Sequence, residues 1–214
     1  MFPLVLAFLP LIPGCLKKEK QMISKKIILP LFILVALAQL YVPFKMIYDR
    51  EEILETGTDY KFSTAPIDPS DLFRGKYIIL SYKDNVVAVK NEKSWIAGET
   101  VYVSLETDEA GFAKIASVSK EKPSENKDFI KAEVSTVSSN RTNKLTIYFP
   151  FDRYYMKESK AYDAELVYTK SLQDTTKLAY ALVSIKDGDA VLKDVLIDGI
   201  SIKEIVKEKQ QNNK

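Results

Sequence analysis

The order of hydrophobic and polar positions divides the chain into two regimes. From Ile27 to Phe44 the residues are apolar almost without a break, Gln39 being the clearest polar side chain. Continued past Lys45 to Tyr48, the run makes a helix of roughly 33 Å, enough to cross a bilayer. Lys45 can snorkel to the interface, and Tyr41 and Tyr48 suit an interfacial aromatic belt. After a polar juxtamembrane stretch, Asp49–Thr58, the pattern becomes short apolar runs, many of them alternating, separated by turn residues. Candidate strands are Tyr60–Ala65, Tyr77–Lys83, Val86–Val89, Thr100–Thr107, Ala113–Lys120, Phe129–Ser138, Lys144–Phe149, Ala179–Ile185 and Ala190–Ile197. Hairpin turns are expected at Thr107–Gly111, Ser139–Asn143 and Lys186–Asp189. The pattern predicts a mainly β fold (β-rich α+β), an antiparallel sandwich or open barrel with at most one short helix, preceded by one transmembrane helix.

Two segments resist a single period. In Lys157–Leu172, Ala161, Ala164, Tyr168 and Leu172 fall near one helical face, yet Tyr162, Ala164, Leu166 and Tyr168 alternate with polar residues. The alternation favours a strand over Tyr162–Tyr168, with a helix as the alternative. Lys203–Lys214 is charged and rich in Gln and Asn, which predicts a frayed helix end and a disordered tail. The expected organisation is an apolar extension over 1–21, an anchor over 22–48, a β-rich domain over 49–202 and the tail over 203–214.

The flanks of the apolar run orient it. Lys17, Lys18, Lys20, Lys25 and Lys26 precede it, while Lys45 and Arg50 follow among Asp49, Glu51 and Glu52. The positive-inside rule then places the N-terminus in the cytoplasm and the domain outside. No small-x-small cleavage site follows Phe44, so a retained anchor is expected rather than a signal peptide. Ile12-Pro13-Gly14-Cys15 superficially resembles a lipobox, but no basic residue precedes it and Pro13 fits poorly.

Composition narrows the function classes. The 214 residues are 46% apolar, ample for one core. Lys+Arg 31 against Asp+Glu 29, well mixed, shows no basic patch for nucleic acid. The count of His is 0, which removes the usual neutral-pH base and the commonest metal ligand. Cys 1 excludes an internal disulfide. Phosphate-loop, metal and dinucleotide motifs are absent, so no cofactor is expected.

One stretch changes character midway: Thr64–Tyr82, TAPIDPSDLFRGKYIILSY. Asp68 is placed as an N-cap, Pro69 as the first helical residue and Asp71 two positions on, with Gly75 ending the turn. Tyr77–Lys83 then reads as a central strand, apolar on both faces. Gly75-Lys76-Tyr77-Ile78-Ile79-Leu80-Ser81-Tyr82 resembles the signature of the GDYXXLXY family of bacterial membrane proteins. A second block, Phe151-Asp152-Arg153-Tyr154-Tyr155-Met156-Lys157-Glu158, is similar to that family's later aromatic motif, and Ile197-Asp198-Gly199 fits its end. The chain departs from the signature at Lys76, where the family has Asp. If that acid serves an activity, this member lacks it; if the position only starts a strand, the change is harmless. The resemblance implies a membrane-tethered topology and a multi-span membrane protein as partner class, besides the lipid bilayer itself.

The two blocks supply the candidate binding residues Asp68, Asp71, Arg74, Arg153, Tyr154 and Glu158. Either they meet on one surface and bind an anionic group or partner, or they cap a turn and pair structurally. Tyr77, Tyr82, Phe151, Tyr154, Tyr155 and Tyr162 are groove-lining candidates or strand core. The expected role is binding or assembly beside another membrane protein rather than catalysis. The alternative is a Ser–Lys envelope hydrolase resembling signal peptidase, whose Arg-Gly-Asp-like motif would correspond to Arg74-Gly75-Lys76. Ser63 and Ser70, the first serines after the anchor, lack that family's setting. Because the segment starting at Met22 is a complete signal-anchor, mass spectrometry of the native protein is expected to find its N-terminus there. A terminus at Met1, or an acylated Cys15, refutes that expectation.

Overall fold

A computed structural model describes residues 25–65, 77–123, 128–138, 143–174 and 176–212. The chain forms two units, Met1–Lys45 and Met46–Lys214. Helix α1 (Lys25–Thr56) contains the apolar run, with Pro30 and Pro43 inside it. Its segment Ile28–Thr56 is long and apolar enough to cross a membrane. Leu29, Phe32, Leu37 and Phe44 are all exposed in the isolated chain, as expected of a helix that is apolar on every side.

The stretch expected as a polar juxtamembrane segment is instead the end of this helix. Ile53 on α1 is buried, and its carbonyl accepts hydrogen bonds from Gly57 N (2.9 Å) and Ser184 Oγ (2.8 Å). Gly57 is required there, since a Cβ would stand 2.5 Å from the Ile53 carbonyl and 2.7 Å from Ser184 Oγ.

The remaining elements are strands β1 (Thr58–Ala65), β2 (Tyr77–Ile79), β3 (Ser81–Tyr82), β4 (Val86–Ala88), β5 (Thr100–Thr107), β6 (Ala113–Ser119), β7 (Phe129–Val137), β8 (Lys144–Tyr148) and β9 (Arg153–Tyr155), helix α2 (Glu158–Gln173), strands β10 (Ala179–Lys186), β11 (Asp189–Ile197) and β12 (Ile200–Ser201), and helix α3 (Ile202–Asn212). The strands form one sheet in the order β12-β11-β10-β1-β3, a second in the order β4-β8-β7-β5-β6, and a β2-β9 ladder. Bridges Lys61↔Phe112 and Ile130↔Gly188 join the two large sheets, so the antiparallel array is nearly closed and barrel-like. The fold class is the β-rich antiparallel one expected.

Two predicted turns form as read. Asp108 opens the β5–β6 turn, its Oδ1 accepting from Ala110 N (3.0 Å) and Phe112 N (2.8 Å). In the β10–β11 hairpin Asp187 (φ 54) and Gly188 (φ 96) both take positive φ, as a two-residue primed turn demands. Most of the Ser139–Asn143 turn and the whole capped turn at 68–75 lie outside the described residues.

The interior is aliphatic, with Val101, Val103, Ile130, Val134, Leu145, Val183 and Val195 almost wholly shielded. An aromatic cluster of Phe62, Tyr82, Phe149 and Phe151 joins it, with ring centroids 5.0–5.8 Å apart.

Three expectations are corrected. Tyr162–Tyr168 is part of α2, not a strand: Ala161, Ala164, Tyr168 and Ser171 are the buried positions, and steps of three and four residues are the helical period. The residues after Lys203 are not a disordered tail as far as Asn212. They form α3, which buries Ile202 and Val206 four apart and ties Lys209 and Gln210 to Asp163 of α2. The domain therefore has two helices in place of at most one short one. Ile202→Ala is expected to cost about 2–4 kcal/mol, the scale of a buried Ile truncation, in denaturant unfolding of the full chain in detergent. An unchanged midpoint would restore the unstructured tail.

Candidate functional site

The two motif blocks lie far apart in sequence and pair directly in space. In the β2–β9 ladder Tyr77 faces Tyr155, Ile78 faces Tyr154 and Ile79 faces Arg153. Pairing continues where Leu80 N donates to the Asp152 carbonyl at 2.7 Å, and Tyr82 Oη donates to the Phe151 carbonyl at 2.8 Å. Strand alternation then sorts the side chains. Ile78 (2%) and Tyr154 (4%) go into the core, while Arg153 and Tyr155 are exposed and Tyr77 and Ile79 half-buried.

The outward row is an arginine–tyrosine stack. The Tyr77 and Tyr155 rings lie 5.3 Å apart, and the Arg153 guanidinium sits 5.3 Å from the Tyr77 centroid. Its Nε is 3.8 Å from Asp152 Oδ1. A hydrogen bond with Tyr155, then the charge of Asp152, hold the guanidinium above its ordinary pKa. Stacked in this way, Arg153 presents a cation of fixed orientation on the outward face.

The inward side is held by a tyrosine–aspartate bond. Tyr154 Oη donates to Asp194 Oδ1 at 2.5 Å, and Lys203 Nζ lies 5.2 Å from the Tyr154 ring centroid. A bulge in β11 aims Asp194: Leu182 pairs Asp194 and Val183 pairs Leu192, leaving Lys193 extra. Burial first, then the hydrogen bond and charge of Asp194, raise the Tyr154 pKa well above that of a free tyrosine. Burial likewise pushes Tyr168 up to about 12.

Beside the ladder is a cavity of about 280 Å³ whose lining includes Ile79, Ser81, Asn85, Ser135, Thr146 and Asp152. Ser135 is the extra residue of a bulge in β7, since Val134 pairs Ile147 and Thr136 pairs Thr146. Tyr148 also lines this space, its pKa raised by burial and by a hydrogen bond to Asp152. Hydroxyls, an amide and one carboxylate thus meet along the edge of the motif strand.

The family described as GDYXXLXY protein matches residues 39–195, well over half of the chain and both motif blocks. The chain belongs to the GDYXXLXY family. No curated protein and no solved structure matches it. Within the GDYXXLXY signature, Leu80 (3%) and Tyr82 (6%) are core residues, whereas Tyr77 belongs to the outward stack. From Tyr77 to Tyr82, its described part, the signature is therefore largely a packing motif with one outward ring.

Of the six candidate binding residues, Asp68, Asp71 and Arg74 lie outside the described residues, as do Gly75 and Lys76. Arg153 is on the outward face, Glu158 is exposed in the first turn of α2, and Tyr154 is buried with its hydroxyl committed to Asp194. The carboxylate within ion-pair reach of Arg153 is Asp152 rather than Glu158. Of the aromatic candidates, Tyr82, Phe151 and Tyr154 are core, Tyr77 is half-buried, and Tyr155 (63%) and Tyr162 (69%) are exposed. The buried serines Ser171 and Ser184 donate their hydroxyls to the Tyr168 and Ile53 carbonyls. Asp152 stands inside the second block, yet its neighbours Arg153 and Tyr154 carry that block's recognisable pattern. Asp194, Lys203, Ser135 and Tyr148 carried no local signal.

Tyr154→Phe keeps the ring and removes the hydroxyl donor from the Asp194 carboxylate, leaving it the Val195 amide, so a loss of about 1.5–3 kcal/mol, the scale of a hydrogen bond to a charged group, is expected. A raised tyrosine pKa stabilises the fold fully below the ordinary value near 10, and that contribution fades as pH climbs above it. Wild-type unfolding free energy should therefore fall above pH 10, and the fall should be shallower in Tyr154→Phe. Equal slopes in pH-dependent denaturation would contradict this.

Proposed function

We propose that this GDYXXLXY protein is a single-pass protein of the bacterial inner membrane. Its N-terminus is cytoplasmic, and its extracytoplasmic β-rich domain binds another membrane protein. Support for the anchor comes from α1, whose segment Ile28–Thr56 is long and apolar enough to span. Support for the orientation is the cluster of five lysines, Lys17 to Lys26, before the apolar run Ile27–Phe44, against Lys45 and Arg50 just after it.

The observation that carries the binding reading is the β2–β9 ladder. Both signature blocks spend their alternate residues on the core and turn Tyr77, Arg153 and Tyr155 to one face. Tyrosine and arginine are the residue types enriched at the energetic centres of interfaces, and rigid rings lose little entropy on docking. The stack is pre-ordered from behind by Asp152 and by the buried Tyr154. A surface so constrained favours a partner of fixed shape carrying a carboxylate or a backbone carbonyl for Arg153.

A photo-crosslinker at Tyr155 in intact membranes is expected to capture an integral membrane protein, and one at the equally exposed Ile96 is not. Arg153→Ala should lower the Tyr155 yield about tenfold, the scale of one interface hot spot. Equal capture from both positions, or none from Tyr155, sinks the binding reading. Protease protection of a C-terminal tag in spheroplasts would reverse the orientation.

A further inference from the structure

A second cleft stands beside the junction of α1 with the domain. It has a volume of about 200 Å³, and its lining includes Arg50, Thr100, Lys131, Glu133, Tyr148 and Asp189. Its position follows from α1. The exposed apolar face of the helix continues through Met46 (63%), Ile47 (64%) and Tyr48 (63%). Arg50 comes two residues later, about 3 Å along the axis. Arg50 Nη1 donates to the Ala190 carbonyl at 3.1 Å, and Lys186 Nζ bonds Glu52 and Thr56. The tip of the β10–β11 hairpin is thus fastened to the first turns beyond the apolar surface. Given the reading of α1 as a bilayer span, Arg50, which lines the cleft, comes at the level of the lipid headgroups.

Its chemistry is mixed in a specific way. Arg50 has five N–H donors and gives one to Ala190. Among the described residues, Arg50, Lys131, Glu133 and Asp189 form no salt bridge with one another or with anything else. Lys131 and Glu133 point outward from β7 one repeat apart, about 7 Å. Glu133 faces Tyr148 directly across the β7–β8 pair. Two cations and two carboxylates therefore line one small cavity without neutralising each other. The cavity suits a compact polar group better than an acyl chain.

We propose that this cleft binds the headgroup of a zwitterionic aminophospholipid. Arg50 and Lys131 take the phosphodiester, and Glu133 and Asp189 take the ammonium. A purely anionic headgroup satisfies only the cations and leaves both carboxylates facing it. Arg50 makes bidentate contact with phosphate oxygens, and Tyr148 closes the side of the cleft nearest the signature strand.

The test uses the full chain in detergent, titrated with phosphatidylethanolamine, with phosphatidylglycerol and with inorganic phosphate, and read by native mass spectrometry. A one-to-one phosphatidylethanolamine adduct is expected, bound about tenfold more tightly than phosphatidylglycerol, the worth of one charge-assisted contact. Lys131→Gln should weaken it about tenfold, Glu133→Gln should erase the preference between lipids, and Lys144→Gln, on the neighbouring strand and outside the cleft lining, should change nothing. Lys131 is chosen because Arg50 also braces the hairpin. Equal binding of both lipids, equal effects of Lys131→Gln and Lys144→Gln, or inorganic phosphate binding as tightly as the lipid each overturn the proposal. Carbonate extraction of membranes separates the two readings. A protein retained in the membrane that gives no adduct fails this inference alone, and a protein released from it fails the spanning reading as well.

Discussion

The aromatic cluster of Phe62, Tyr82, Phe149 and Phe151 governs the geometry of everything around the signature. Its four rings come from β1, from β3 and from the segment between β8 and β9, and each touches at least two others. Tyr82 adds a buried hydrogen bond to the Phe151 carbonyl. The β2–β9 ladder is only three residues long, too short to hold a register by its own hydrogen bonds. The cluster fixes both chains immediately next to that ladder, and so sets which residues turn in and which turn out. With the rings in place, Ile78 and Tyr154 have a core to enter, and Arg153 and Tyr77 are left to stack outside. The outward Arg153–Tyr77–Tyr155 stack therefore rests on packing one layer beneath it.

A second seam works in the same way at the base of the domain. The end of α1 is built into the first sheet through Ile53, Ser184 and Gly57, with Lys186 bonded to Glu52 above it. A glycine forced by a 2.5 Å approach, and a buried serine spending its hydroxyl on a helix carbonyl, leave little slack between helix and strand. The charged cleft around Arg50 and Lys131 is a consequence of that seam, since the β10–β11 hairpin supplies one of its walls.

Bulges do the fine positioning. The extra residue at Lys193 re-phases β11, so that Ala190 is buried before it and Val195 and Ile197 after it. The same change directs Asp194 to Tyr154. The bulge at Ser135 brings a hydroxyl to the cavity that the signature strand borders. Both sites depend on a single added residue in a strand that is otherwise regular, as expected where a sheet must re-aim one side chain.

By itself the sequence determined whatever is local and periodic: the apolar span, the order of the main strands, and the turns at Asp108 and Asp187-Gly188, whose side chains and φ values need no distant partner. It also marked the two motif blocks, and hence Arg153. Only the tertiary structure decided the rest. Tyr162–Tyr168 satisfies both periods on paper, and the choice fell to helix because Ala161 and Ala164 allow α2 to pack closely with Tyr168 on the core side. Ile202 and Val206 are too few to announce a helix in a polar tail, and they fold because α2 and the sheet offer them a surface. Asp152, Asp194 and Lys203 acquire their roles from strand pairing, a bulge and a helix start. The physical reason is the same throughout. Hydrogen-bonding period and turn chemistry act between near neighbours, whereas burial and side-chain pairing depend on which distant segments the core brings together.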